Sequence, residues 1–428
     1  MRWNLASGFR ALGLAGVLAG SLAGGSAVAA DGVVKVGVIQ ALAGDCAQWG
    51  IPVVRGAQMW ADELNAEGGI LAGDGKRYTI EIRPYDNVCY IPGEELKAAR
   101  RAILDDGVQY LLQTYTPASR QAIADLLNEK KVLAISYGAG FLSEKYPYLM
   151  GGITGTSTTY MHVISYILEK HPELKRIAII TADTSWGQSA KAYFEAGIAP
   201  YADRVQIVYN QSYDLSAAND MLGLMTPLMA TKPDVILELG FIPAQKAVMI
   251  ETVDQLGFKG VFGGAEWSLP FVLERVKGAE VAGRLYAACA VEASEPTYSK
   301  RAHDMYDRYI KKYGAKDWSV YVSIGYSTMG VLEAGLKMSP SVDATTVMKT
   351  LYAAGKIDHP VFGPSTWGDM EIFGTAHHLM TPVPVYNVDA QGNSVLDGVV
   401  DPNDWWTKHR DAALPKLEAG GQVFVKSN

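Results

Sequence analysis

Residues 33–69, VVKVGVIQALAGDCAQWGIPVVRGAQMWADELNAEGG, join an apolar run to a helical pattern. VVKVGVI (33–39) predicts a strand, VVRGAQMWADELNA predicts a helix after it, and Gly68–Gly69 predict the end of that helix. The same unit then recurs, since further strands with helices between them are predicted at YTIEIRPY (78–85), VQYLLQT (108–114) and VLAIS (132–136). Repeated strand–helix–strand units predict an α/β fold with a parallel sheet covered on both faces.

A second series of strands and helices follows the Gly-rich stretch GGITGTS (151–157). Its predicted strands are RIAIITAD (176–183) and then VQIVYN, DVILELG and GVFGG. The chain therefore predicts two doubly wound α/β lobes. We interpret GGITGTS as the connection between them, because a phosphate-binding loop would have to lie in a strand-to-helix turn.

The end of the chain does not continue this alternation. Long helices are predicted at 297–313, 319–337 and 343–354, followed by a short strand, VPVYNV (383–388). Such an ending predicts a chain that crosses back to the first lobe and then returns to the second. We expect a first lobe of residues 31–151 plus about 292–365, a second of 152–291 plus about 366–400, and an irregular C-terminal extension over 401–428.

The first thirty residues predict a cleaved secretory signal peptide. Arg2 and Arg10 accompany an apolar run that ends in the small residues SAVAA before Asp31. A membrane anchor is the alternative, but the run is short and interrupted by glycine. Removal of residues 1–30 takes away two of the 38 basic residues and leaves 36 against 45 acidic ones, a net charge of −9. The signal predicts a periplasmic protein, and the acidic balance disfavours nucleic acid and anionic lipid as partners.

Three cysteines remain after the signal, and an oxidising compartment would allow two of them to pair. Cys46 and Cys89 each follow one of two strands predicted to be neighbours, so we favour a disulfide between them. Cys289 lies in the apolar stretch RLYAACAV and is expected to be a buried free thiol.

The sequence contains no pattern that points to catalysis or to a bound cofactor. Nucleophile elbows, Walker loops, HExxH zinc motifs and dinucleotide fingerprints are all missing from the positions that their chemistry requires. His377 and His378 are adjacent, so on a strand they would face opposite sides, and we expect structural roles rather than metal binding. We therefore expect a protein that is not an enzyme, with no cofactor and no metal, and with a ligand cleft where the carboxyl ends of the strands of both lobes meet.

Several stretches together resemble the branched-chain-amino-acid-type solute-binding proteins of ABC importers. They are VKVGVIQALAGDCAQWG, VVRGAQMWADELNAEGGI, LAISYGAG, RIAIITADTSWGQS and VFGGAEW, and the likeness runs from about Lys35 to about Asn393. The resemblance implies the type I periplasmic-binding-protein fold, with three crossing segments between the lobes and a small solute bound in the cleft. It also implies a monomer that has no cofactor and delivers its solute to a membrane permease.

The same resemblance implies a set of ligand-binding residues. The loop after the first strand would place Trp49 over the ligand, and QTYTPAS (113–119) would bind a carboxylate through first-turn helix amides. In the second lobe, Glu266 matches the acid that pairs with a substrate ammonium. The implied ligand-binding residues are Trp49, Tyr115, Thr116, Ala118, Ser119, Tyr137, Gly138, Ala139, Phe141, Trp186, Phe241 and Glu266.

Departures from the family pattern leave two ligand classes open. Pro117 and Gly140 stand where amino-acid binders carry hydroxyl side chains, and the loops are rich in aromatic residues, including Trp267. If Glu266 faces the cleft, the ligand should be an amino acid, amide or other amine-bearing solute. If Glu266 points outward, an aromatic or other organic acid held by the 116–119 amides fits better. Two further functions are a ligand sensor for a membrane receptor and, using Glu266 or Asp183, a periplasmic enzyme.

Overall fold

The computed structural model describes residues 30–89, 91–113, 117–137, 142–154, 156–265, 267–288 and 299–423. The strands of these residues are β1 (Gly32–Gln40), β2 (Ile70–Leu71), β3 (Arg77–Asp86), β4 (Tyr110–Gln113), β5 (Leu133–Ser136), β6 (Leu149–Gly151), β7 (Arg176–Ala182), β8 (Gln206–Tyr213), β9 (Val235–Leu239), β10 (Val261–Ala265), β11 (Leu285–Ala288), β12 (Lys356–His359), β13 (Gly363–Gly368), β14 (His378–Met380), β15 (Val383–Val388) and β16 (Ser394–Val400). The α-helices are α1 (Ala47–Ala66), α2 (Pro92–Arg100), α3 (Pro117–Lys130), α4 (Thr156–Lys170), α5 (Ser185–Ile198), α6 (Met221–Ala230), α7 (Pro243–Gln255), α8 (Leu269–Val276), α9 (Lys300–Tyr313), α10 (Val320–Met338), α11 (Ala344–Ala354), α12 (Met370–Phe373) and α13 (Pro402–Ala419).

The strands form two sheets, one for each lobe. The first has the order β12-β13-β14-β6-β5-β4-β1-β3-β2, and the second has the order β16-β15-β11-β10-β9-β7-β8. Pairing is parallel through the centre of both sheets and antiparallel only towards their edges. This is the doubly wound arrangement that the alternation of strands and helices predicts.

The chain crosses between the sheets three times. It leaves the first sheet after Gly151, returns from the second after Ala288, and leaves the first again after Met380. The predicted final boundary near residue 366 is too early, because β13 and β14 still belong to the first sheet and His378 pairs with Gly151 of β6. The last crossing therefore lies between Met380 and Val383.

The C-terminal extension is helical, which corrects the expectation of an irregular segment. Asp401 accepts hydrogen bonds from the amides of Asn403 and Asp404 at 2.8 and 3.1 Å, and Pro402 occupies the first helical position. An aspartate cap followed by proline is a strong helix start. The resulting α13 packs against α5 of the second lobe and buries Trp405.

Two glycines allow α1 to approach α10 closely in the first lobe. A Cβ atom at Gly56 would lie 2.0 Å from the carbonyl oxygen of Val322, and one at Gly325 would lie 2.2 Å from that of Val53. Any larger residue at either position would force the helices apart. None of the helices in the described part of the chain combines the length and the apolar content that a membrane span requires.

Candidate ligand-binding cleft

The crossings bring the carboxyl ends of the two sheets together. In the first sheet, Gly151 and Met380 end strands that run parallel to each other, so both lie on the carboxyl edge. In the second sheet, Ala288 ends β11, and Val383 begins a strand that runs antiparallel to it. All three crossings therefore leave from or arrive at carboxyl edges, where open α/β sheets bind their ligands.

Buried polar side chains line this edge of the first lobe. Gln40 ends β1 and Ser136 ends β5, and both are almost inaccessible to solvent. Tyr137 follows Ser136, and its hydroxyl donates to Gln40 Oε1 at 3.4 Å. Ser119, in the first turn of α3, directs its hydroxyl to the Glu95 carboxylate. The side chains of Tyr137 and Ser119 are thus engaged within the lobe.

The remaining first-lobe residues are only partly described. Trp49 lies in the first turn of α1 and is half-buried. Helix α3 begins at Pro117, so Ala118 lies in its first turn, where backbone amides point out of the helix start. Five of the residues implied by the resemblance lie outside the described ranges: Tyr115, Thr116, Gly138, Ala139 and Phe141. In the second lobe Glu266 lies outside them as well, and so does the predicted free thiol of Cys289.

A disulfide braces the rim of the first lobe. Cys46 and Cys89 are bonded in the structure, with their Cα atoms 5.4 Å apart and a separation of 43 residues in the sequence. Cys46 is the N-cap of α1 and Cys89 follows β3. The bond therefore joins the loop before Trp49 to the loop of the neighbouring strand.

Trp186 is held at the start of α5, on the opposite side of the cleft. Thr184 caps this helix, accepting a hydrogen bond from the Gly187 amide at 3.1 Å. A Cβ atom at Gly187 would lie 1.8 Å from the carbonyl oxygen of Ala182, the last residue of β7. The Trp-Gly pair therefore lets the helix start against the strand end while the half-buried indole projects beside it.

Phe241 is part of a packed aromatic wall. Its side chain is 1% exposed and stacks on Tyr213, with ring centroids 4.7 Å apart. Gly240, before it, has φ of +118°, and a Cβ atom there would lie 2.8 Å from the Tyr213 hydroxyl. This glycine is required both by its backbone conformation and by its surroundings.

An ion pair that sequence reasoning missed lies buried at the same edge. Glu238, the penultimate residue of β9, is 3.0 Å from Lys246 Nζ, and both side chains are at most 3% exposed. Burial raises the pKa of Glu238 above its usual value, although Lys246 opposes the effect. Lys246 Nζ also lies 5.2 Å from the ring centroid of the fully buried Trp267. The sequence feature that could have indicated this ion pair is the glutamate inside the apolar strand DVILELG.

The two lobes touch beside this cluster. The hydroxyl of Ser268 lies 3.1 Å from that of Ser319, the N-cap of α10 in the first lobe. Tyr321 donates its backbone amide to Ser319 Oγ at 3.4 Å and is buried. Sequence reasoning predicted only a helix here and did not predict this contact between the lobes.

Hydrogen bonds tie the first and third crossings together. Thr154 donates two hydrogen bonds to Thr381, one from its amide to Oγ1 at 2.9 Å and one from its hydroxyl to the carbonyl oxygen. His378 is fully buried, with Nδ1 2.5 Å from Asp369 Oδ2 and Nε2 2.8 Å from the carbonyl oxygen of Ile153. The stretch interpreted as the connection between lobes is thus hydrogen-bonded to the third crossing at Thr154 and Thr381.

The structure gives the two adjacent histidines separate structural contacts. His377 stacks on Tyr352 with ring centroids 4.2 Å apart, and burial lowers its pKa to about 4. Within the described ranges, no three His, Cys, Asp or Glu side chains come close enough together to hold a metal ion. Asp183, considered as a catalytic acid, is an exposed residue beyond the end of β7.

Two parallel sheets with opposed carboxyl edges and a hinge of crossing segments define a two-lobed ligand-binding protein. The chain belongs to the periplasmic binding protein family, whose model matches residues 33–393. The predicted family and type I fold are therefore confirmed, and α13 lies beyond the matched region.

Proteins similar to this chain include one named for leucine and structures solved with isoleucine or 4-hydroxybenzoate. The leucine-specific-binding protein of Salmonella typhimurium is 27% identical over 367 residues, 84% of this chain and 93% of its own. A branched-chain amino acid transporter substrate-binding protein from Streptococcus pneumoniae, solved with isoleucine, has a TM-score of 0.69 at 17% identity, covering 86% of this chain and all of its own. A solute-binding protein of an ABC transporter from R. palustris, solved with 4-hydroxybenzoate, has a TM-score of 0.67 at 20% identity, covering 87% and 98%.

Proposed function

We propose that the protein is the substrate-binding component of an ABC importer. It would be exported to the periplasm, lose residues 1–30, capture a small solute in the cleft as a monomer and present it to a membrane permease. The observation that carries the proposal is the opposed pair of carboxyl edges, joined by a hinge, in a chain of this family. Such a hinge allows the lobes to close on a ligand and bury most of its surface.

The first candidate solute is a small amino acid or a related amine- or amide-bearing compound. The loop between β10 and α8 supports this candidate. Glu266 is the predicted ligand-binding residue of this loop, and its neighbours Ala265 and Trp267 are buried at the carboxyl edge of the second sheet. A carboxylate in that position would be paired by an ammonium group of the ligand. The leucine-specific relative is consistent with this chemistry.

The second candidate is an aromatic or other organic acid. Helix α3 begins at Pro117, which directs the amides of its first turn towards the carboxyl edge, where they suit an anion. The stacked rings of Phe241 and Tyr213 provide an aromatic wall in the opposite lobe. A structural relative solved with 4-hydroxybenzoate has the same fold.

Ligand-induced stabilisation of the mature chain distinguishes the candidates. The protein is unfolded, freed of ligand, refolded and melted with aliphatic and aromatic amino acids, amides, polyamines and aromatic and aliphatic acids. A ligand at a hundredfold excess over its Kd stabilises the folded state by about 2.7 kcal/mol. A shift with amino acids that disappears in Glu266→Gln, but not in the exposed control Glu251→Gln, supports the first candidate. A shift only with acids that lack an amine favours the second, and no shift with any compound contradicts both.

The remaining functions make different predictions for the bound solute and its partner. An enzyme would return the solute chemically changed, whereas a binding protein would release it intact, which mass spectrometry of the released compound decides. Genes for permease and ATPase subunits beside this one would support the importer over a sensor. Light scattering after size exclusion tests the monomer, with a mass near that of one chain as the expected result.

A further inference from the structure

The buried ion pair between Glu238 and Lys246 contacts the loop that the proposed function uses. Lys246 lies in the first turns of α7, and its ammonium is 3.0 Å from Glu238 Oε1 and 5.2 Å from the centroid of the Trp267 ring. Trp267 lies two positions after the last residue of β10 and two before the first residue of α8. The pair is thus connected to the β10–α8 loop by an ammonium over an aromatic face.

The same loop is constrained from two other directions. The Trp267 ring lies against its own strand, because a Cβ atom at Gly264 would be 2.2 Å from the indole Nε1. Ser268 has a left-handed backbone with φ of 50°, which a non-glycine residue adopts only where its surroundings impose it. Its hydroxyl reaches Ser319 of the first lobe at 3.1 Å. The loop therefore joins the ion pair to the contact between the lobes.

Stability alone does not explain the pair. Transfer of two charges out of water offsets much of their mutual attraction, so apolar residues of similar size often stabilise a fold as well as a buried ion pair does. The pair does, however, fix an ammonium at one point, from which it orients the indole of Trp267. A rigid loop loses less conformational entropy when a ligand binds to it.

We propose that Glu238 and Lys246 are positioning residues that hold the β10–α8 loop in the arrangement that binds ligand. The expected effect on ligand affinity rests on the proposed function. The expected effect on the order of the loop does not. Lys246→Met removes the ammonium at similar length, and Lys246→Arg keeps a cation over the ring. The double variant Glu238→Gln/Lys246→Met removes both charges together. It replaces Lys246→Met in the test if that single variant fails to fold.

The chain provides a control pair of the same chemistry, but more exposed, in the same lobe. Lys170 Nζ is 2.5 Å from Asp397 Oδ1 and 5.6 Å from the ring centroid of Tyr286, so it also combines an ion pair with an aromatic face. It is the last residue of α4, which leads into the amino end of β7, at the sheet edge opposite the cleft. Lys170→Met is therefore expected to leave the β10–α8 loop unchanged.

Hydrogen exchange and ligand titration test the proposal together. Amide exchange is followed in peptides covering residues 261–277, and affinity is measured by calorimetry with L-leucine and with 4-hydroxybenzoate. In Lys246→Met we expect at least tenfold faster exchange in this loop and at least tenfold weaker binding of the probe that binds the wild type. Lys246→Arg should stay within threefold of wild type in both measurements, as should Lys170→Met. Gly264→Ala, which displaces the indole by contact, should reproduce the loss.

The two measurements separate failure of this inference from failure of the proposed function. Unchanged loop exchange in both Lys246→Met and the double variant would overturn the proposal, whichever ligand binds. Faster exchange with unchanged affinity would also overturn it, because the loop would then be ordered without serving the site. If the wild type binds neither probe, the proposed solute classes are in error, while the exchange measurement still decides whether the pair holds the loop.

Discussion

Replacement of Arg301 by glutamine should strongly destabilise the first lobe. Arg301, in the first turn of α9, donates to both carboxylate oxygens of Glu333 on α10, at 3.0 and 2.7 Å. Trp60 Nε1 and Lys337 Nζ complete the site at 2.9 and 2.7 Å. Because the Glu333 side chain is only 2% exposed, the loss of Arg301 leaves a buried carboxylate without its bidentate partner.

The pKa of Glu333 gives the magnitude. Burial alone would raise this pKa, but the hydrogen bonds and charges of Arg301 and Lys337 outweigh burial and lower it from 4.5 to about 2. At about 1.36 kcal/mol per pKa unit, the ionised carboxylate contributes about 3 kcal/mol to the free energy of unfolding. A lowered pKa stabilises the fold above the unfolded-state value, so this contribution is present above about pH 4.5 and is lost as the pH falls towards 2.

Urea unfolding of wild type and Arg301→Gln between pH 7 and pH 3 tests this reasoning. At pH 7 the variant should lose about 3 kcal/mol, and its difference from wild type should shrink as the pH falls below 4.5. Lys300→Gln is the control on the same helix, since the Lys300–Asp304 pair is exposed and screened by solvent. An Arg301→Gln loss no larger than that of Lys300→Gln, or a difference that does not change with pH, would refute the argument.

Three further predictions concern stability. Replacement of Cys46 and Cys89 by serine should lower the free energy of unfolding by up to about 4 kcal/mol, which is the loop-closure value for a separation of 43 residues. In urea unfolding, a reducing agent should have no further effect on this variant. Burial lowers the pKa of His162 to about 3, so His162→Phe should reduce the loss of stability as the pH falls from about 6.5 towards 3, measured by melting at each pH. Trp405→Ala should cost about 3–5 kcal/mol in urea unfolding because this side chain is 5% exposed, whereas half-buried Trp406→Phe should cost less than half as much.

Much of the fold could be predicted because most of its strands and helices depend on the pattern of residues within a short segment. The strand predicted at 33–39 is β1, and the helices predicted at 319–337 and 343–354 are α10 and α11 to within a residue at each end. Apolar runs and helical periodicity report burial along a short segment, so each element can be found from its own residues. The position of the last crossing could not be predicted in this way. It depends on β14 pairing with β6, a strand more than 200 residues earlier in the chain.

The candidate site was less predictable than the fold, for a related reason. The start of α5 is local, since it involves only Thr184, Trp186 and Gly187, and a short sequence motif is therefore enough to predict it. The Glu238–Lys246 pair depends on how α7 returns over β9, and its link to Trp267 depends on the pairing of β9 with β10. A lone glutamate in an apolar strand indicates that a partner must exist, but it does not identify which cation provides it.

Several contacts that sequence could not predict lie between the lobes, and this has a physical consequence. Thr154 and Thr381 join two crossings, Ser268 meets Ser319 across the cleft, and Trp406 on α13 donates to Glu371 of the first lobe at 2.6 Å. Each is a hydrogen bond worth about 1 to 3 kcal/mol, far less than the burial that holds each sheet to its own helices. These hydrogen bonds therefore cost less to break than the packing of either sheet against its helices. A ligand that contacts both carboxyl edges stabilises the closed state only through the interactions it gains there, so we expect loops such as β10–α8, which touch both lobes, to contribute to its affinity.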